Sequence, residues 1–136
     1  MSTAAVLAKA DRAAAQIQAN GSPILLRHDG RTVNPATGAL SGASSPTDYQ
    51  VRGLVQALTV RSGGAVQAGD VLITVGARDL PSRPVPGAWV VFVGGSDPEA
   101  WPVPGAAGVE QLAIVDSSDA IQQLGVSFLY SLHCRR

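Results

Sequence analysis

From Pro23 onward, proline and glycine interrupt every apolar run before it is long enough to make a packed helix. Short apolar segments set between such turns read as strands, and a chain of them reads as an all-β barrel or sandwich. The first twenty residues do not follow this rule. "MSTAAVLAKADRAAAQIQAN" is crowded with alanine, the best helix former, and carries no glycine or proline. The order of one helix followed by strands alone argues against a doubly wound α/β fold.

The strand candidates are "PILLRH" (23–28), "YQVRGLVQALTV" (49–60), "DVLITVGA" (70–77), "AWVVFVGG" (88–95), "VEQLAIVD" (109–116) and "VSFLYSLHC" (126–134). Asp29-Gly30 is a hairpin signal, with "RTVNP" as the returning strand. In the second candidate Tyr49, Val51, Val55 and Ala57 alternate with Gln50, Arg52 and Gln56. Gly53 in its middle predicts a bulge or sharp coil. Three prolines in "DLPSRPVPG" (79–87) predict an extended link, and "SDPEAWPVPGAAG" (96–108) predicts a loop. "SSDAIQQLG" (117–125) is long enough for one helical turn or for a plain connection. The expected fold is mainly β: a small, strongly coiled antiparallel β-barrel, SH3-like or sandwich-like, with an N-terminal α-helix and long loops. Residues 1–20 are the helix and 21–136 a single barrel domain.

The helix spans 3–19, with Ser2 or Thr3 as its cap and Asn20-Gly21 as a left-handed stop. Leu7, Ala10, Ala14 and Ile17 share one face. So narrow a stripe buries little and needs a support, either the barrel or a neighbouring subunit. The reading preferred from sequence is a subunit or ring boundary.

Composition limits function. Charged residues are 15% of the chain and the formal net charge is zero, with Lys9 the one lysine. The basic excess of a free-standing nucleic-acid binder is missing. One cysteine, Cys134, excludes an intrachain disulfide. Lys9, Asp11 and Arg12 break the N-terminal apolar run, which does not fit a signal peptide, and no run approaches the ~18 residues of a membrane helix. Synthesis in the cytoplasm without a membrane partner is expected.

The chemistry-bearing motifs are thin. There is no G-x-S-x-G, Walker A or G-x-G-x-x-G sequence. His28 and His133 fall in strands, and His133-Cys134 is too little for zinc. Asp79, Asp97, Glu99 and Asp116 are scattered, and nothing selects a glycosidase pair. No catalytic residue, metal or cofactor is expected. Trp89 reads as core, and Trp101 as a lid or an interface residue. Arg135-Arg136 reads as a solvated end able to touch phosphate.

"NPATGAL" (34–40), "TDYQVRGLVQAL" (47–58), "VQAGDVLITVGARDL" (66–80) and "PVPGAWVVF" (84–92) occur in an order and spacing that resemble the head-closure, or stopper, proteins of long-tailed bacteriophages and prophages. The resemblance covers roughly residues 24–134. Each motif alone is ordinary turn chemistry. The helix is longer than expected for that family, and loop 96–108 stands where relatives have a short hairpin. The resemblance implies a virion neck protein without enzymatic activity. It would form a homo-oligomeric ring, expected to be a hexamer, below the portal and adaptor. Its partners would be other copies of itself, the adaptor or portal-side neck protein and the tail terminator, with packaged double-stranded DNA in the channel. The loop of Gly, Ser, Ala and Thr between 34 and 48 would be a mobile arm, with Asn34, Thr37, Gly38, Ser41, Ser44, Ser45 and Asp48 as interface residues, joined by Trp101. The alternatives are a tail terminator or other tail-tube component and, from another class, a small hydrolase or carbohydrate-binding module using Trp101 and the loop carboxylates.

Overall fold

The computed structural model describes residues 2–30, 32–33, 36–42, 45–58 and 67–136. Helix α1 (Thr3–Asn20) is followed by strands β1 (Ser22–His28), β2 (Thr32–Val33), β3 (Leu40–Ser41), β4 (Thr47–Ala57), β5 (Val71–Gly76), β6 (Trp89–Gly94), β7 (Val109–Gln123) and β8 (Val126–Arg135), with a 3-10 turn at Ala77–Asp79. Six strands close into a barrel in the order β1-β4-β5-β8-β7-β6, every pair antiparallel. The fold is mainly β, as the punctuated sequence predicts.

Alternation sets the core. Phe128, Tyr130, Leu132 and Cys134 are the buried residues of β8, at a period of two. Leu132 and Cys134 meet Ile24, Leu26, Ile73 and Val91 inside the barrel. Trp89 belongs to the same core, with the rings of His28 and Tyr49 at 4.7 and 5.6 Å from its own. Leu25 and Phe92 are register partners and also buried, and the Arg27 guanidinium lies 5.2 Å from the Phe92 ring.

Helix α1 packs on β8, β4 and β5 of its own chain. The alanine-rich face that the sequence assigned to a subunit boundary is therefore covered by the barrel. The buried stripe is Val6, Ala10, Ala14 and Ile17, and Leu7 is only half-buried. Small side chains permit close approach: a Cβ on Gly76 would lie 2.8 Å from Ala14 Cα. The start is capped as expected, by Ser2 Oγ accepting from Ala5 N–H at 3.2 Å. The end is not left-handed. Gly21 has φ −82°, and glycine is needed there for space, since a Cβ would stand 2.8 Å from Gly53 N.

Three sequence expectations change. Asp29-Gly30 does not turn β1 back on itself, because β1 pairs with β4 and β6. Instead Asp29 opens an arm outside the barrel, in which β2 pairs with β3. Gly53 sits in unbroken register between Ser22 and Val75; the irregularities lie in the β7–β8 pairing, at Ile114/Asp116, Asp119/Ile121 and Ile121/Gln122. Residues 117–123 extend β7 rather than forming a helical turn or loop, so β7 and β8 make a long hairpin.

Gln123 pairs with Val126, which leaves a two-residue turn at Leu124-Gly125. Both have positive φ, 49° and 74°. Turns of this kind favour Asn-Gly because a leucine Cβ is crowded in the left-handed region.

Two stability outcomes follow from these contacts. Leu124→Asn should stabilise the isolated chain by about 1 kcal/mol, read as a higher urea midpoint, because it relieves that crowding. Gly76→Ala should destabilise it by about 1–3 kcal/mol, because the new methyl meets the helix backbone rather than a flexible side chain. An unchanged midpoint for Gly76→Ala would mean that the helix shifts freely on the barrel.

Candidate functional site

The antiparallel registers sort the molecule into two ends. His28 pairs with both Thr47 and Trp89, so the end of β1 meets the starts of β4 and β6. Gly76 pairs with Leu129, which brings the end of β5 and the early part of β8 to that same end. The β2–β3 arm and the β7–β8 hairpin tip both leave from it. The opposite end holds the start of β1, the ends of β4, β6 and β8, and loop 96–108.

The arm is pinched at its base. Ser45 N–H donates to Asp29 O at 2.8 Å, and Asp29 N–H donates to Ala88 O at 2.9 Å. Arg27 forks onto Asp48 with bonds of 2.8 and 3.1 Å. That pair pulls Asp48 below the usual carboxylate range, chiefly through the Arg27 hydrogen bonds. Thr37 and Gly38 are exposed beyond β2, where Thr37 Oγ1 accepts from Ala39 N–H at 3.3 Å. Ser41 lies in β3 opposite Thr32. Asn34 and Ser44 fall outside the described residues. The arm thus brings Thr37, Gly38, Ser41, Ser45 and Asp48 to one end.

Trp101 is not with them. It stands at the opposite end, 37% exposed, beside a hollow of about 140 Å³ bordered by Gly95, Ala100, Val103 and Ala106. The loop carrying it is stiffened by its own turns: Asp97 Oδ1 accepts from Glu99 N–H at 2.9 Å, and Ala106 N–H donates to Val103 O at 3.0 Å. The sequence-derived interface residues therefore form two separate surfaces.

One charged cluster escaped the sequence reading. Asp70 is buried where β5 begins. Arg135 donates to both its oxygens at 2.9 Å, Gln67 N–H donates to Oδ2 at 2.9 Å, and His133 Nε2 lies 2.6 Å from Oδ2. Arg136 holds Glu110 at 2.5 Å and Gly69 O at 3.2 Å. Arg136 is exposed, as a solvated end would be, but both arginines are tied down: they clamp β8 to the β5 entry and to β7. The signal was present in the two-residue spacing of His133 and Arg135, which puts both on the face away from buried Cys134. Burial, aided by the Asp70 charge, pushes the Cys134 thiol up to about 12, so it remains an uncharged core group.

Among the described residues, no group of three or more His, Cys, Asp or Glu side chains is placed to hold a metal ion, and no helix is long and apolar enough to cross a membrane. Asp97 and Glu99 share loop 96–108, Asp79 and Asp116 lie on other elements, and Asp79 Oδ2 is buried without a hydrogen-bond partner beneath α1, next to Gly76 and Ala14. No family model, curated protein or solved structure matches this chain.

The Asp70 cluster makes stability depend on pH. Hydrogen bonds from Arg135 and then from Gln67 N–H hold the carboxyl well below its ordinary range. A depressed folded-state value adds stability above the unfolded value, near pH 4, that is lost as pH falls toward the folded one. Asp70→Asn should therefore lower the urea midpoint at pH 7, and its midpoint should fall less than the parent's between pH 5 and pH 2. Parallel pH profiles would remove Asp70 as the source.

Proposed function

We propose that this chain is a structural subunit of a bacteriophage neck, of the head-closure type, assembled as a ring between the portal or adaptor side and the tail. The observation that carries the reading is the β2–β3 arm. It is a separate two-stranded sheet, fixed at its base by Asp29 and Ser45 and standing outside a closed barrel. The same segment bears "NPATGAL", the first of the ordered motifs that resemble stopper proteins.

A ring subunit in a neck needs a stiff body and two partner-facing ends. The barrel supplies the body, since its strands are paired around a closed circuit. The arm end and the Trp101 end supply two unlike surfaces. The arm would enter the channel or meet the neighbouring ring, and Trp101 would bury its exposed ring against the other partner, as aromatic anchors do at interfaces. A neutral chain with paired charges at the arm base would let packaged DNA pass without holding it. Hexameric copy number, the adaptor and tail-terminator partners, and residence in the virion neck are parts of the same proposal.

Deleting the gene from a phage or prophage that carries it tests the reading. The expected particles are DNA-filled heads that leak or lack tails, accompanied by free, fully formed tails. Normal infectious particles from the deletion strain would overturn it.

A further inference from the structure

Two apolar features lie at opposite ends of the chain. At the arm end, β7 pairs with β6 only through Ala113, and β8 pairs with β5 only from Leu129 onward. Beyond those points the β7–β8 hairpin leaves the barrel; Phe128 on its β8 strand is covered by Val6 and Ala10 of α1, and Asp119 on its β7 strand is tied to Arg83, so only the tip is left uncovered. Its tip exposes Leu124 by 62% and Ile121 by 50%. Leucine is held there in a left-handed turn position that asparagine or glycine would fill with less strain. A large exposed apolar side chain at a position that disfavours it contributes nothing to this chain's own fold.

The second feature is a hollow of about 320 Å³ at the other end, lined by Pro23, Val55, Val93, Pro98 and Ala100. It lies where β1 begins. Leu54–Ala57 of β4 pair there with β5 alone, and Val93 and Gly94 of β6 pair with β7 alone. Val55 is 41% exposed. A cavity of roughly 150 Å³ takes a benzene-sized group, so this hollow has room for two aliphatic side chains.

We infer that the hairpin tip of one copy, through Leu124 and Ile121, seats in the Val55 hollow of a second copy. Opposite placement on the barrel prevents a chain from filling its own hollow. The tip "AIQQLGVS" (120–127) carries no charge and no charged residue lines the hollow; the adjacent pair of Arg52 with Glu99, which stands between Pro98 and Ala100, is already neutralised. The flank of the hairpin behaves differently, since β7 carries Asp116 and Asp119 along its edge, charges that discourage strand addition. Contact area also bears on the choice. A stable dimer buries about 1,200 Å² or more in total, which so small a tip cannot supply. A head-to-tail contact repeats, however, and gives every copy two such contacts in a closed ring. The closure of that ring rests on the neck reading above; the pairing of tip with hollow does not.

Leu124→Asn separates the roles. It should stabilise the monomer yet weaken self-association at least tenfold in sedimentation analysis of the full chain. Val55→Asp should weaken it as much. The double variant Leu124→Cys/Val55→Cys, oxidised when concentrated, should give a reducible ladder of multimers. Mixing the two single variants should stop at dimers; the native Cys134 is buried and should not take part. Rings that form without this cross-link, or that Leu124→Asn leaves intact, would overturn the contact while leaving the neck reading in place. A chain that stays monomeric at every concentration and gives no ladder would also overturn the contact; the neck reading would still be judged by the deletion strain. A ladder from either single variant alone would overturn the tip-to-hollow pairing.

Discussion

The fit of Ala14 against Gly76 is the constraint on which the rest of the architecture depends. With the helix held that close, Val6 and Ala10 reach Phe128 at one end and Gly21 reaches Gly53 at the other. That placement decides where β1 can begin. It also explains why β4 runs on past Gly53 without β1 beside it, and so why a hollow opens at that end of the barrel. Alanine is selected here for being small: the stripe buries modest area per residue, and close contact of backbone with backbone replaces bulk.

Electrostatics plays a minor, local part. With few charges to use, the chain spends them as tethers: Arg27 with Asp48 at the arm base, Arg78 with Asp11 between turn and helix, and Arg135 and Arg136 at the end of β8. Exposed pairs of this sort contribute little each. Asp70 differs because its carboxylate is buried and Arg135 donates to both oxygens, so removing Arg135 would leave a buried charge without its counter-ion.

Strand existence was legible where alternation and turn chemistry agreed. Segments 23–28, 70–77, 88–95 and 126–134 match observed strands within a residue or two, because one face of each meets the core. Pairing was not legible. Asp29-Gly30 has hairpin chemistry, but β1 is drawn to β4 and β6 by Ile24, Leu26 and Leu25, a preference that exists only once the barrel closes. The outer half of β7 was missed because "SSDAIQQ" has no buried face to leave a pattern; it is a strand through its partner β8. Of the candidate site, the loop residues and Trp101 were found as residues, but their separation to opposite ends follows from register alone. The Asp70 cluster joins positions 67, 70, 133 and 135, a juxtaposition that sequence distance conceals.

Places where local preference loses are informative because most of this chain obeys it. Gly21 and Gly53 yield conformational economy for close packing, and that loss is offset within the same chain. Leu124 has no such offset. Its side chain is largely exposed, its backbone is in the left-handed region, and the neighbouring Gly125 would already make a good turn with asparagine before it. Folding alone would favour the polar residue on both counts, conformation and exposure. The inferred contact with a second copy would supply the missing term, and the hollow at the far end of the barrel, with no charged residue in its lining, is of a size and polarity to accept it. The same reasoning separates Leu124 from exposed Val103, which sits in an ordinary loop with no positive φ and for which scattered surface exposure is explanation enough.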